Sequence, residues 1–592
     1  MKNFKRIFYT PLILILLTLS QVLAQHKFII NLNDRSEKVF NVILYPKDLK
    51  ANNSIFQFAS TAPGTYQTMD IGRFVKSFNA YDKNGKEIPV KNISTNQWEI
   101  EKPENVKKIT YKIADTWHTK VSTHPVYAMS GTTIEDDNVV INGQCVFGYF
   151  HGMQDYPIYV KLEYPNNWSI GTALQKNDEG YYYAPTYDYI VDSPIMLGNL
   201  TQAQTTVEKT NVKIYTYSKT GLIKSENLLN LLQDMLYATN EFLKGLPVDH
   251  YTFLFHFSDF SAGAWEHSYS SFYVYKEDTL NEKYAESLLS TSAHEFFHIV
   301  TPLNIHSELV ENFNYEKPTM SQHLWLYEGI TEWAANILQL RNGLMTLDKY
   351  LDITSNKLNI NDNFNPTISL TTLGKEATEL PDQYYNIYNK GAVLGTLLDI
   401  KLLELSGGKK GLRELIIDLI HDYGKSKPFS EEHFFDELVN RTYPQIKEFI
   451  DKYIKGTEPF PVKDYFEKLG INYQETAGID STKPSIGMGI SIKDTNLIIT
   501  RVDPELQKKG IMVGDILYKL DNTPVSLSNI QAVAPKFMSI KVGDVFNITL
   551  KRGEKEIPLQ LIIKPKEVRH KFEVMKNPTN EQLKLRQAWL KN

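Results

Sequence analysis

Two histidines four residues apart in an apolar stretch constrain this chain more than any other feature. The stretch reads His294-Glu295-Phe296-Phe297-His298 and continues into two further apolar residues. A helix places both imidazoles on one face, one turn apart. Because a mostly apolar helix is buried, its polar groups need buried partners. The spacing predicts a zinc site with His294 and His298 as ligands, and with Glu295 placed to act as general base on a water.

A catalytic zinc site takes three protein ligands and leaves one position open. The segment from Leu324 to Glu332 supplies two candidates for the third ligand. Glu328 stands in an apolar run, where an isolated carboxylate would be costly to bury. Glu332 follows one helical turn later on the same face. We therefore predict Glu328 as the third ligand of one zinc ion per chain, and Glu332 as an acceptor for the N–H of a ligand histidine.

The composition narrows the class of protein. A chain of 592 residues predicts about three or four domains. Its 42% hydrophobic and 22% charged residues are typical of a globular protein, and its net charge of −5 excludes a nucleic-acid partner that would need a basic stripe. The single cysteine, Cys145, excludes an intrachain disulfide and reads as a buried structural thiol.

Residues 1–24 are predicted to be a cleaved signal peptide. Lys2, Lys5 and Arg6 precede a short apolar run, and Ala24 ends a small-residue cleavage site. The apolar run is shorter than the roughly 20 residues of a membrane-spanning helix, and no later stretch is long enough. The alternative is an uncleaved anchor. We expect a protein exported to the periplasm or medium, with no membrane span after cleavage.

Changes in the residue pattern along the chain predict a multidomain fold. Short β-branched and aromatic runs predict an N-terminal all-β domain over 25–205. Helical periodicity then predicts an α+β domain over 206–474, with its helices late in the segment, at 285–301, 321–341, 386–406, 409–423 and 430–454. Residues 475–486 read as a linker opening a β-rich module over 475–567, and 568–592 read as a polar helical tail.

The segment Trp325-Leu326-Tyr327-Glu328-Gly329, placed after the histidine pair, resembles a motif of the glycyl aminopeptidase family of zinc peptidases. In that family the glutamate is the third zinc ligand. The resemblance implies a thermolysin-like α+β catalytic domain with a helical C-terminal part. It also implies removal of small N-terminal residues, such as Gly or Ala, from peptides.

Two further motifs are similar to those of related aminopeptidases. Gly263-Ala264-Trp265-Glu266-His267 resembles their substrate-binding strand. The resemblance implies that the backbone of Gly263 and Ala264 pairs with substrate, and that Glu266 binds the free α-amine. Tyr388-Asn389-Lys390-Gly391 resembles their Tyr-x-Lys-Gly motif, which implies that the Tyr388 hydroxyl donates to the developing oxyanion.

The outer parts of the chain extend the resemblance. Pro63-Gly64-Thr65-Tyr66 is similar to a segment of the family's N-terminal β-domain. Residues 485–565 look like a PDZ domain, because Gly487-Met488-Gly489-Ile490 resembles its carboxylate-binding loop. The resemblance implies a C-terminal peptide as a possible ligand of this domain.

The sequence leaves three functions open. The first is an exported zinc aminopeptidase acting on peptides. The second is an endopeptidase with the same zinc site, which would differ in whether Glu266 closes the cleft to internal peptide segments. The third belongs to another class, a non-catalytic scaffold that binds peptides through its PDZ domain. Two observations separate them, namely the zinc content and the need for a free N-terminus.

Overall fold

The computed structural model describes residues 25–493, 496–526 and 529–591, and the protein is multidomain. The predicted signal peptide, residues 1–24, lies outside the described residues. Among those that are described, no helix combines the length and apolar character that crossing a bilayer requires.

The N-terminal domain is β-rich, as predicted, with one short helix. Its strands are β1 (His26–Asn31), β2 (Val39–Tyr45), β3 (Ile55–Gln57), β4 (Val75–Tyr81), β5 (Glu87–Ile88), β6 (Val90–Ser94), β7 (Gln97–Ile100), β8 (Lys108–Ala114), β9 (Thr133–Ile134), β10 (Asn138–Ile141), β11 (Tyr149–Phe150), β12 (Ile158–Glu163), β13 (Ser169–Thr172), β14 (Gln175–Lys176), β15 (Tyr182–Ala184) and β16 (Ile195–Gly198), and the helix is α1 (Tyr187–Val191).

These strands form three sheets that enclose one apolar core. The largest has eight strands in the order β14-β15-β12-β1-β2-β8-β4-β5, and two four-stranded sheets run β13-β16-β10-β9 and β11-β3-β7-β6. Alternating burial along β1 and β2 directs one face of the large sheet into this core. Cys145 lies in the core and is buried, as predicted for a structural thiol.

The catalytic part opens with a five-stranded sheet. Its strands are β17 (Thr201–Val207), β18 (Thr210–Ser218), β19 (His250–Ser258), β20 (Gly263–His267) and β21 (Ser270–Lys276), in the order β17-β18-β19-β21-β20. The predicted domain boundary at 205 falls inside β17, so the catalytic part begins a few residues earlier. The short antiparallel strand β20 forms one edge of the sheet.

Helices follow and pack over this sheet around a second apolar core. They are α2 (Ser225–Leu243), α3 (Glu282–Phe297), α4 (Glu308–Glu311), α5 (Thr331–Arg341), α6 (Leu347–Asn361), α7 (Leu370–Lys375), α8 (Asn386–Leu405), α9 (Leu412–Asp422), α10 (Phe434–Arg441), α11 (Gln445–Tyr453) and α12 (Val462–Lys468).

Two predicted helices differ in detail from the structure. The helix predicted over 321–341 begins as a π-helical turn, Trp325–Ile330, and becomes α-helical only at α5. The helix predicted over 430–454 is two helices, α10 and α11, with Pro444 at the start of the second. Proline disfavours helical geometry in the residue before it, which explains the break.

Two glycines bring the π-helical turn and α8 into direct backbone contact. A Cβ atom on Gly329 would lie 2.6 Å from the Cα atom of Gly391, and one on Gly391 would lie 2.5 Å from the Cα atom of Gly329. Any side chain there would force the two elements apart. The glycines of the two sequence motifs therefore set how closely Glu328 and Tyr388 approach each other.

The C-terminal module is a β-rich unit with its own small core. It contains β23 (Met488–Lys493), β24 (Asn496–Val502), α13 (Pro504–Lys508), β25 (Ile516–Leu520), β26 (Thr523–Pro524), α14 (Ile530–Met538), β27 (Val545–Arg552) and β28 (Lys555–Ile562). The strand order is β23-β24-β25-β27-β28, with β26 pairing with β25. Its assignment as a PDZ domain stays a prediction.

The segment predicted as a linker is a strand. A two-stranded antiparallel ribbon of β22 (Ile471–Ser485) and β29 (Lys564–Val574) carries the C-terminal module. The predicted boundaries at 475 and 567 fall inside these strands. The sequence did not predict this ribbon because most residues of β22 are solvent-exposed. The strand therefore lacks the alternation of apolar and polar residues that marks a half-buried strand.

The predicted polar tail helix, α15 (Asn580–Lys591), packs against the catalytic domain. Trp589 is completely buried in the catalytic core, and its backbone carbonyl accepts a hydrogen bond from Arg341 Nε at 2.9 Å. Arg341 also pairs with the buried carboxylate of Asp399 at 2.6 Å. The end of the chain is therefore part of the catalytic core.

The glycine contact generates a test. We expect Gly391→Ala to lower the free energy of unfolding by about 1–3 kcal/mol, since an added methyl group in a packed core costs that much. Urea unfolding followed by circular dichroism measures this change. Gly424→Ala is a matched control, because a Cβ atom there meets nothing within 4 Å. Equal stability of both variants would contradict the proposed close contact.

Candidate metal centre

His294, His298 and Glu328 converge in the structure as predicted. The Nε2 atom of His294 lies 3.4 Å from Glu328 Oε2, and the Nε2 atom of His298 lies 3.7 Å from the same oxygen. Ligands of a tetrahedral zinc ion, with bonds of about 2.0–2.1 Å, are separated by about 3.3 Å. All three side chains are buried. The donor types and their spacing therefore fit one zinc ion.

The other ring nitrogen of each histidine is fixed by a hydrogen bond. His294 Nδ1 donates to Glu332 Oε2 at 2.8 Å, which is the partner predicted for Glu332. His298 Nδ1 donates to the backbone carbonyl of Thr301 at 2.8 Å. Both contacts select the tautomer in which Nε2 carries the lone pair. Both Nε2 atoms consequently face Glu328 as ligands.

A lysine from the next helix holds Glu332 in its charged form. Lys357 of α6 donates to Glu332 Oε1, while His294 occupies the other carboxylate oxygen. Although burial opposes ionisation, Lys357 and His294 hold the pKa of Glu332 well below its usual range. Glu332 therefore presents a full negative charge to the histidine, which raises the basicity of the ligand nitrogen.

Four carboxylates crowd the centre, those of Glu295 and Glu328, which are buried, and those of Glu266 and Glu332, which are half-buried. Burial raises the pKa of Glu266 well above its ordinary value, and the charges of Glu328 and Glu295 raise it further. Burial also raises the pKa of Glu295 to about 7. Such an excess of buried negative charge is stabilised by a nearby dication. The electrostatics of the site thus agree with the donor geometry.

Glu266, Glu295 and His298 form a second group of converging donor atoms. The first group is the better metal site because both of its histidines are held with Nε2 facing Glu328. Glu295 directly follows the ligand His294 on α3 and lines the same cleft. This position leaves its carboxylate available to act as a base rather than as a ligand.

Three tyrosines surround the metal ligands. Tyr388 of α8 lies beside His294, with ring centroids 5.6 Å apart, and its hydroxyl is 2.9 Å from that of Tyr384. Tyr66 of the N-terminal domain donates from its hydroxyl to Glu328 Oε1 at 2.9 Å. The sequence identified Tyr388 through its motif, whereas it gave no role to Tyr384 or Tyr66.

Strand β20 lines the cleft at the edge of the catalytic sheet. It carries the Gly263, Ala264 and Glu266 that the motif predicted. An edge strand leaves one row of backbone groups free to pair with an extended peptide. Gly64 packs against Glu266 so closely that a Cβ atom would lie 2.4 Å from its Oε1 atom. The N-terminal domain therefore helps to shape the site around Glu266.

The cleft that contains these groups has a volume of about 380 Å³. Its lining combines the ligands, Glu295 and the three tyrosines with Ala264 and Glu266 of β20. Tyr127, Met129 and Ser130 of the N-terminal domain also line it. The cleft brings the metal-ligand side chains, the Glu295 carboxylate, tyrosine hydroxyls and a strand edge into one space, which are the groups that metal-assisted hydrolysis of a peptide uses.

Comparison with protein families identifies two parts of the chain. Residues 27–199 match the peptidase M61 N-terminal domain, and residues 287–394 match the M61 glycyl aminopeptidase family. The second match contains all three predicted ligands, Glu295 and Tyr388. These matches confirm the family resemblance of the sequence motifs. Neither match includes the C-terminal module.

Solved structures with the same fold include an aminopeptidase N family protein from Idiomarina loihiensis. It is 20% identical, with a TM-score of 0.77 over 95% of this chain and 100% of that chain. A mutant M1 zinc metallopeptidase from Deinococcus radiodurans is 12% identical, with a TM-score of 0.47 over 74% of this chain and 95% of that chain. A comparison with curated proteins gave no match.

Mutation can distinguish the role of His294 as a zinc ligand from that of Glu295 as a base. We expect His294→Ala to lose the zinc, and Glu295→Gln to retain about one zinc per chain while kcat/KM falls by roughly 10²–10⁴-fold, because only the proton transfer is removed. Zinc is measured on the purified protein by elemental analysis. Glu282→Gln, an exposed change on the same helix, is the control. Absence of both zinc and peptidase activity in the unchanged, folded protein would favour the non-catalytic scaffold.

Proposed function

Because the chain carries both the N-terminal and the peptidase domain of the M61 glycyl aminopeptidase family, we propose that it is a zinc aminopeptidase. The observation that carries this proposal is the position of Glu266. Its carboxylate lies in the cleft beside the metal ligands, at the edge strand where a peptide would pair. The reaction is hydrolysis of the first peptide bond of a peptide substrate.

His294, His298 and Glu328 would hold the zinc. When bound, the zinc supplies a Lewis acid that polarises the scissile carbonyl and lowers the pKa of a water. Glu295 takes a proton from the attacking water and delivers it to the leaving amine. Tyr388 donates its hydroxyl to the developing oxyanion. Tyr66 orients Glu328 through its hydrogen bond and so acts as a positioning residue.

Glu266 supports an amino-terminal rather than an internal cut. It is half-buried beside Glu328 and Glu295, whose charges raise its pKa in addition to the effect of desolvation. An α-ammonium group of the substrate would satisfy this carboxylate by a charge-assisted hydrogen bond. An internal peptide segment has no positive charge to offer at this point. The endopeptidase alternative lacks such a reason for a carboxylate here.

We also propose that the chain is exported, on the strength of the predicted signal peptide. Mass spectrometry of the mature protein from its own host would show a chain beginning at Gln25. An N-terminus that still includes residues 1–24 would count against cleavage.

A pair of peptides tests the aminopeptidase proposal. A peptide with a free N-terminus should be cleaved after its first residue, while its N-acetylated form should not, because acetylation removes the charge that Glu266 binds. We expect Glu266→Gln to lower kcat/KM for the free peptide by at least about 30-fold, the effect of losing one partner of a buried ion pair. Equal cleavage of the two peptides would identify an endopeptidase instead.

A further inference from the structure

A second cavity lies directly behind the catalytic cleft. It has a volume of about 190 Å³, and it shares four lining residues with the cleft: Gly64, Tyr66, Trp265 and Glu266. The two spaces therefore adjoin along these residues, one of which carries the carboxylate that would hold the substrate's α-amine. The side chain on the same carbon as that amine starts two bonds from the amine nitrogen, beside these shared residues.

The wall of the second cavity is largely apolar. It includes Trp265 of β20, Leu303 of the loop after α3, Val310 of α4, and Met320 and Leu324 before the π-helical turn. An apolar protein cavity of about 150 Å³ is large enough to bind benzene. This cavity can accordingly take a branched aliphatic or aromatic side chain, whereas glycine would leave it unfilled.

Two buried imidazole nitrogens in the same wall have no partner. They are Nε2 of His267 and Nδ1 of His306, whose side chains are only 1% and 3% exposed. Their other nitrogens are paired, that of His267 with Asp192 and that of His306 with Glu311. A buried polar atom without a partner is costly, and an apolar side chain offers these nitrogens no hydrogen bond, so they favour a bound water in the polar part of the wall.

We propose that this cavity receives the side chain of the substrate's N-terminal residue, and that the enzyme prefers large apolar residues such as Leu and Phe over Gly and Ala. The inference rests on the proposed aminopeptidase function, because Glu266 must hold the α-amine at the mouth of the cavity. It replaces the preference for small residues that the family resemblance implies. Trp265, next to Glu266 in β20, provides part of its apolar wall.

The preference is measured with aminoacyl reporters of Gly, Ala, Leu and Phe on the full-length, zinc-loaded protein. We expect kcat/KM for Leu and Phe to exceed that for Ala by at least about 10-fold, since even one extra methylene in an apolar pocket changes it by about 10-fold or more. Fastest cleavage of Gly or Ala would overturn the preference and leave the aminopeptidase proposal intact. Cleavage of none of the four, with cleavage of an N-acetylated peptide, would overturn both.

Filling the cavity with a larger side chain tests whether it is the place where the substrate side chain binds. Leu309 lines it and is only partly buried. Leu309→Trp should lower kcat/KM for Phe by at least about 10-fold and leave that for Ala within about 2-fold. Lys317→Trp, an exposed position in the segment after α4 that does not line the cavity, is the matched control and should change neither.

An equal fall for Phe and Ala in a folded Leu309→Trp protein with full zinc content would overturn the assignment. If Leu309→Trp does not fold, Met320→Trp fills the cavity from another segment. The same selective loss for Phe is expected from it. Unchanged ratios of Phe to Ala in Met320→Trp would equally overturn the proposal.

Discussion

The contact between Gly329 and Gly391 is the constraint on which the metal centre depends. The π-helical turn presents Glu328, and α8 presents Tyr388 one turn before Gly391. The two backbones touch with no room for a Cβ atom on either glycine. A tighter or looser approach would shift the ligand and the hydroxyl donor relative to each other. The wide π-helical geometry, which occurs often at functional sites, is used here to aim a ligand.

The second constraint is the concentration of buried charge. Four carboxylates share the site, and each has a different partner or role. Lys357 compensates Glu332, and Tyr66 donates to Glu328. Glu266 and Glu295 remain with raised pKa values. A metal dication and a substrate ammonium group are the two positive charges that would complete this arrangement, and each is adjacent to the carboxylates it would neutralise.

The sequence predicts the parts of the site that lie within one element. His294, His298 and Glu295 follow from helical spacing, and Glu328 and Glu332 follow from one buried segment. Tyr66 contacts Glu328 across 262 positions of sequence, and that contact depends on how the N-terminal domain packs. The exposed ribbon β22–β29 escaped prediction because it lacks apolar alternation. The sequence predicts a polar tail helix because charged and amide side chains separate its few apolar residues, but the structure buries Trp589 and packs Leu585, Ala588 and Leu590 beside it against the catalytic core.

The ribbon also explains why the C-terminal module has a fixed place. Asp362, at the end of α6, accepts a hydrogen bond from His570 of β29 at 2.8 Å and pairs with Arg569. One turn earlier the same helix supplies Lys357 to Glu332. A single helix therefore anchors the ribbon at its end and compensates the glutamate behind the ligand His294. The C-terminal part of the chain and the metal centre share one rigid support, although no residue of the ribbon lines the catalytic cleft in the described part of the chain.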